Sequence, residues 1–120
     1  FAQVRSRENR NILDKIDAYV KEHYMEKISL RSLGEMFYIN NVYLGQLYKK
    51  RYQIVFRDYL NQLRLEKGKE LLEDTDTRIY RIAEETGFGK ADYFINKFVQ
   101  VYGITPNQYR MKFKKSGRGN

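Results

Sequence analysis

Apolar residues recur along most of this chain at three- and four-residue steps, the spacing of one face of an α-helix. From Asn11 they fall at Ile12, Leu13, Ile16, Tyr19, Val20 and Tyr24, which predicts an amphipathic first helix. Residues 1–10 are polar and charged and read as a frayed lead-in. Ser29 is a good N-cap for a helix from Leu30 to about Phe37 that buries Leu30, Leu33 and Phe37. Within it, Gly34 sits where a Cβ would obstruct a closely crossing partner helix. A mid-helix glycine costs roughly 1 kcal/mol against alanine, so a packing reason is expected. Tyr38-Ile39-Asn40 make a turn, and Asn40 caps the next helix, Asn41 to about Arg51. Its inner face is Tyr43, Leu44, Leu47 and Tyr48. Its outer face is Val42, Gly45, Gln46 and Lys49, spaced i, i+3, i+4 and i+7.

A longer helix is expected from about Val55 to Leu72, spanning roughly 25 Å at 1.5 Å per residue. Phe56, Tyr59, Leu60, Leu63, Leu71 and Leu72 are among its apolar positions. Asp74-Thr75-Asp76-Thr77 reads as a loop ending in an N-cap. The next helix begins near Arg78 with Ile79, Ile82 and Ala83 inward, and Gly87 closes it as a left-handed cap. Another runs from about Lys90 to Tyr102, buries Tyr93, Phe94 and Phe98, and stops at Gly103. Thr105 caps a short last helix with Pro106 in its first turn. The expected fold class is all-α.

Two of these stretches are one unit written twice. Leu30, Leu33, Gly34, Glu35 and Ile39 recur 49 positions later as Ile79, Ile82, Ala83, Glu84 and Phe88. After one inserted residue, Tyr43, Leu44, Gln46, Tyr48, Tyr52, Ile54 and Tyr59 recur 50 positions later as Tyr93, Phe94, Asn96, Phe98, Tyr102, Ile104 and Tyr109. A period of that length marks a repeated structural unit. Short helix, tight turn and longer helix make a helix-turn-helix, whose second helix can lie in a DNA major groove. The chain then divides into a lead-in (1–10), a first helix-turn-helix subdomain (11–54), a linker helix (55–73), a second subdomain (74–111) and a basic tail (112–120).

Length and composition narrow this further. A chain of 120 residues is one domain or two very small ones. Tyr outnumbers Phe 11 to 7, which suits a small domain whose rings pack while their hydroxyls reach a wet face. The net charge of +8 favours an anionic partner. It is uneven, however: Arg110, Lys112, Lys114, Lys115 and Arg118 crowd the last 14 residues with no acid among them. Charge alone is therefore weak support, since a solvated basic terminus gives the same balance. With no cysteine there is no disulfide framework or thiolate metal site, which fits a reducing cytoplasm. No apolar run reaches the ~18 residues of a membrane span, and no signal peptide is visible. A start at Phe1 is read as an excised piece of a longer protein whose sensing part lies outside it.

Enzyme chemistry finds little purchase, and no catalytic residue, metal or cofactor is expected. His23 is the only histidine and lies on the first helix, with no nucleophile indicated near it. Thr86-Gly87-Phe88-Gly89-Lys90 lacks the spacing of a phosphate loop and follows no strand. Glu84 and Glu85 are adjacent and read as a solvated helix face.

The residues from Ser29 to Arg110 resemble the DNA-binding domain of the AraC/XylS family of bacterial transcription regulators. The second half carries the more specific signature: Ile79, Ile82, Ala83, Gly87, Phe88, Tyr93-Phe94, Phe98, Gly103, Pro106 and Tyr109-Arg110. The first half adds Tyr38-Ile39-Asn40 and Tyr43-Leu44-Gly45-Gln46-Leu47-Tyr48-Lys49-Lys50. With Phe37, this stretch is most similar to the output domains of YesN-type two-component response regulators. The resemblance implies about seven helices, with two helix-turn-helix subdomains joined by the long helix. It also implies recognition helices in successive major-groove segments, ~34 Å apart unless the DNA bends. Family members usually carry glycine where this chain has Gln53, and many place arginine at Gln46 or Asn96.

Carried over by position, the first recognition helix offers Asn41, Val42, Gly45, Gln46 and Lys49, and the second Lys90, Ala91, Asp92, Ile95, Asn96 and Val99. Gln46 and Asn96 suit adenine N6 and N7; Val42, Ala91 and Ile95 suit thymine methyls. Gly45 allows close approach, and Asp92 can accept from cytosine N4 but repels phosphate. Ile95 is expected on an exposed face with no burial partner. Lys49, Lys50, Arg57, Lys90, Lys97 and Arg110 are phosphate candidates. The expected function is sequence-specific binding of double-stranded DNA by the output domain of a cytoplasmic transcription regulator. A contact with RNA polymerase and an N-terminal sensing or receiver domain are implied partners. The alternative is a helical protein-interaction module with no preference for DNA sequence. RNA binding is disfavoured, since the aromatic-lined sheets used for it are absent.

Overall fold

Ser29 opens the first helix-turn-helix by a reciprocal cap: its Oγ accepts from the Ser32 amide, and the Ser32 Oγ accepts from the Ser29 amide, each at 3.0 Å. In the computed structural model this starts α2 (Leu30–Phe37). It is preceded by α1 (Ala2–His23) and followed by α3 (Asn41–Tyr52), α4 (Phe56–Asp74), α5 (Ile79–Thr86), α6 (Ala91–Tyr102) and α7 (Pro106–Phe113). The structure describes the backbone of residues 2–114 and the side chains of residues 10–114. Among them every regular element is an α-helix, as expected of the fold class. The tail beyond Lys114 lies outside the described residues, as does Phe1.

Two boundaries differ from expectation. α1 begins at Ala2 rather than near Asn11. Its early residues Ala2, Gln3, Arg5, Arg7 and Glu8 are good helix formers, and polarity alone does not forbid a helix. α5 is capped by Arg78 rather than Thr77, without a side-chain hydrogen bond. The Thr77 hydroxyl is instead 2.9 Å from that of Thr75, which holds the loop together.

The chain divides into two compact units, Phe1–Leu60 and Asn61–Asn120. The division falls inside α4, within the stretch expected to be a linker, because each part of that helix serves a different core. In the first unit Leu13, Ile16 and Val20 of α1 are buried, as are Leu33, Leu44, Tyr48, Phe56, Tyr59 and Leu60. Gly34 is buried too, and its packing reason lies in the turn. A Cβ there would meet the Ile39 carbonyl oxygen at 2.6 Å, and a backbone atom cannot yield. The Gly34 carbonyl in turn accepts from the Ile39 amide at 3.0 Å.

In the second unit Leu65, Leu72, Ile82, Ala83, Phe88, Phe94 and Phe98 form the core, with Leu71, Ile79, Tyr102 and Tyr109 against it. Phe94 sits on Gly68 of α4: a Cβ there would lie 2.8 Å from Phe94 Cε1. The one-residue insertion between the copies is Gly89, in the turn between α5 and α6 at φ 91°. The repeat also reaches further back than the sequence signature. Leu13, Ile16 and Val20 on α1, and Leu65, Gly68 and Leu72 on α4, are buried with the same i, i+3, i+7 spacing. Each unit is therefore a supporting helix followed by a helix-turn-helix.

Candidate nucleic-acid interface

The outer face of α3 is set by which residues its inner face must bury. Leu44 and Tyr48 are fully buried, so positions between them turn to solvent. Asn41, Val42, Gln46 and Lys49 are all exposed, with Val42 at 65%. Asn40 fixes the start of the helix, its Oδ1 accepting from the Tyr43 amide at 2.9 Å. Lys49, Lys50 and Arg51 occupy the last turn, where cations complement the helix dipole. Gly45 does not lie on the open face. It is half-buried, and a Cβ there would stand 3.0 Å from Leu30 Cδ1, so its small size serves the crossing of α2 and α3.

α6 repeats the arrangement with different chemistry. Phe94 and Phe98 are fully buried, and Asp92, Asn96 and Val99 are exposed. Ala91 is half-buried, and Lys90 is the exposed N-cap, with no side-chain bond to the helix. Ile95 is half-buried rather than on an exposed face, because it occupies the flank that Gly45 occupies in α3. Tyr43 and Tyr93, expected in the core, are exposed at 38% and 40%. They sit one residue past the outward-facing Val42 and Asp92, at the edge of the buried face. Tyr93 meets Phe88 edge-on, with ring centroids 5.4 Å apart.

The cations expected at phosphate fall into two groups. Lys50 and Arg57 are exposed, and Lys97 is half-buried with its Nζ 5.8 Å from the Tyr93 ring centroid. Arg110 is committed to the fold. Its Nε donates to the Leu72 carbonyl at 3.2 Å, and an Nη donates to those of Leu71 and Thr75 at 3.3 and 3.1 Å. These are carbonyls at the C-terminal end of α4, and a guanidinium answers both their hydrogen-bonding need and the negative end of the dipole. Arg110, also expected at phosphate, thus spends its Nε and one Nη on the fold.

Two features escape the sequence pattern. Tyr38, in the turn before α3, is 95% exposed in the left-handed region at φ 58°, ψ 47°. Asp17 is only 4% exposed and lies inside the first unit. The hydroxyls of Tyr48 and Tyr59 donate to its Oδ1 at 3.2 and 2.6 Å, and that of Tyr52 donates to its Oδ2. Lys21 Nζ is 3.6 Å away. The signal for Asp17 was present, since it stands four residues after Leu13 and three before Val20 on the apolar stripe. A charge there needs partners inside. His23 is half-buried, stacked on Tyr19 with centroids 4.1 Å apart, and within 2.7 Å of Glu26. Among the described residues no cluster of His, Cys, Asp and Glu is suited to a metal. No described helix is long and apolar enough to cross a membrane.

Two tandem helix-turn-helix units, each exposing the outer face of its second helix, define the class of double-headed DNA-binding domains. A family model described as a helix-turn-helix domain matches residues 33–112. The C-terminal domain of the response regulator AraT from Geobacillus stearothermophilus superposes with a TM-score of 0.86 at 32% identity, over 91% of each chain. That of the two-component response regulator yesN from Fusobacterium nucleatum superposes with a TM-score of 0.79 at 42% identity, over 83% of this chain and 98% of the other. The transcriptional regulator YijO of Escherichia coli is 32% identical over 102 residues, which are 85% of this chain and 36% of that protein. The chain thus spans about a third of this relative's length. It belongs to the AraC-type helix-turn-helix family, the DNA-binding domains of transcription regulators.

Proposed function

We propose that this chain reads duplex DNA in two successive major-groove segments, one with α3 and one with α6, as the output domain of a larger bacterial transcription regulator. The observation that carries this reading is the placement of Gln46 and Asn96. They are equivalent in the repeat, both exposed, and both able to hydrogen-bond a base edge twice. Each selects adenine through N6 and N7. Asn41, Val42 and Lys49 complete the first reading face, and Lys90, Ala91, Asp92 and Ile95 flank or complete the second. Gly45 keeps α3 close to α2 and reads nothing. Lys50, Arg57 and Lys97, with Lys49 and Lys90, bind phosphate and set register. The chain is not an enzyme.

The larger protein carries a sensing or receiver domain, works in the cytoplasm and contacts RNA polymerase. The response-regulator kinship of the two superposed domains supports the receiver. The proposed test is selection of this chain on random duplexes at about 150 mM salt, near physiological screening. Two short boxes about ten base pairs apart are the expected result. Weak binding that depends only on salt, with no enriched sequence, would overturn the proposal.

A further inference from the structure

We infer that Asp17 is a positioning residue for the first reading helix: its buried carboxylate gathers the hydroxyls of Tyr48 and Tyr52 and thereby fixes the pose in which α3 presents Gln46. The inference rests on the function proposed above. Tyr48 and Tyr52 are the two tyrosines on the inner side of α3, one turn apart, and both donate to Asp17 of α1. Tyr59 of α4 donates to the same carboxylate, so one group ties three helices of the first unit. The rings reinforce it: Tyr52 stacks on Tyr59 with centroids 4.3 Å apart, and Tyr48 lies 5.4 Å from Tyr59. A second tie runs alongside, from Arg51 at the end of α3 to Asp14 on α1 at 2.8 Å.

Apolar packing of Leu44 and Tyr48 seats α3 in the core, and directional contacts on the same side add to what sets its rotation. Hydrogen bonds to a carboxylate are directional, so two of them on one helix face, the Tyr48 bond long at 3.2 Å, bias its rotation. Base reading needs that rotation, since a bidentate amide tolerates little displacement.

The second unit offers a contrast at the corresponding position. There α4 carries Lys69, whose Nζ lies over the rings of Tyr102 and Tyr109 at 4.9 and 5.8 Å. These are the equivalents of Tyr52 and Tyr59. Tyr109 also donates to Glu73, but that carboxylate ties α7 to α4 and does not hold α6; the Lys69 cation above the Tyr102 ring is less directional than a carboxylate taking three hydroxyls. The Asp17 device therefore belongs to the first unit, and its loss should register in one half of the DNA site.

The experiment compares the unaltered chain with Asp17→Asn and with Tyr52→Phe on the selected duplex and on single-base variants of each box. Gln46→Ala identifies which box α3 reads. Asp17→Asn keeps volume and one accepting oxygen. Tyr52→Phe removes only a hydroxyl from a ring that stays stacked, which guards against loss of folding in the first variant; thermal melts accompany both. The expected result is affinity lowered at least about fivefold, with base discrimination flattened in the α3 box and retained in the α6 box. Three results would overturn the inference: unchanged discrimination in both boxes, equal flattening in both, or affinity loss that follows melting temperature alone. If the unaltered chain shows no sequence preference, the proposed function falls and the inference with it. If it reads both boxes and the variants do too, only the inference falls.

Discussion

Tyr38 and Gln53 hold left-handed backbone at φ 58° and 66°, and they are the non-glycine residues described with positive φ. Their equivalents in the second unit are Gly87 and Gly103, at φ 101° and 83°. The same two bends are thus made by glycine in one copy and at a steric cost of about 1–2 kcal/mol per residue in the other. Gln53 offsets part of this by donating from Nε2 to the Lys50 carbonyl at 2.9 Å, and its departure from the family's glycine leaves the cap intact. We expect Gln53→Gly to stabilise the chain by about 0.5–1 kcal/mol and Gly103→Ala to destabilise it by about 1–2 kcal/mol, read from urea midpoints. Gly68 is held by a different constraint. Alanine there would gain roughly 1 kcal/mol of helix propensity but press into the fully buried Phe94, an overpacking cost of about 1–3 kcal/mol. Gly68→Ala should therefore be neutral to destabilising, whereas an exposed mid-helix glycine would gain from the same change; denaturant titration separates the two. The sequence shows the Gly87 and Gly103 caps because glycine announces them. It hides Gly68, flanked by Lys67 and Lys69, because the closeness of a neighbouring helix is not written in local polarity.

The helices themselves were legible, since caps and apolar periodicity are local properties. Ser29, Asn40 and Thr105 each accept the amide hydrogen bond that their positions forecast. What periodicity could not deliver was the polar fastening between elements. Arg110 reads as a phosphate candidate until its three carbonyl partners are seen, and the place of Asp17 on the apolar stripe calls for a partner without saying that three tyrosines supply it. These fastenings have a titration signature. Burial, with Asp17 beside them, holds the phenols of Tyr48 and Tyr59 far above the ordinary tyrosine range. Burial and then the Glu73 carboxylate push Tyr109 up to about 12. A folded-state pKa above the unfolded one means the proton is held more tightly in the folded chain. The associated stability is intact below the unfolded value of 10.0 and is lost as pH rises through the folded value. Stability should accordingly fall from about pH 10 upward, by as much as ~1.4 kcal/mol per pH unit for each tyrosine still protonated when folded. Tyr59→Phe should make that fall shallower by one such increment. Urea unfolding at stepped alkaline pH, with phenolate absorbance as a second probe, measures both; an unchanged slope in Tyr59→Phe would place the alkaline sensitivity elsewhere.

At the scale of the whole molecule the duplication matters most. It was legible in the recurrence from Leu30 to Tyr109, whereas its extension to the supporting helices was not. α1 and α4 share a burial spacing but differ in charge at Asp17 and Lys69, and the division between the compact units falls inside a helix expected to be a linker. Duplication of a reading unit predicts separable reading. Gln46 and Asn96 lie in different units, on different helices. Side chains with no shared partners contribute additively to within about 0.5 kcal/mol. Gln46→Ala and Asn96→Ala should each cost about 1–3 kcal/mol on the preferred duplex and relax discrimination at one base. The double variant should lose the sum. Because both side chains are uncharged, the slope of affinity against salt should stay as it was. Lys50→Ala should instead weaken binding to all sequences alike and lower that slope by about one. Titrations of the unaltered chain and these four variants on matched and mismatched duplexes at several salt concentrations distinguish these cases. Equal loss on every sequence after Gln46→Ala or Asn96→Ala would mean that the altered helix supports binding without reading bases. A double variant much weaker than the sum would mean that the two units engage DNA as one body.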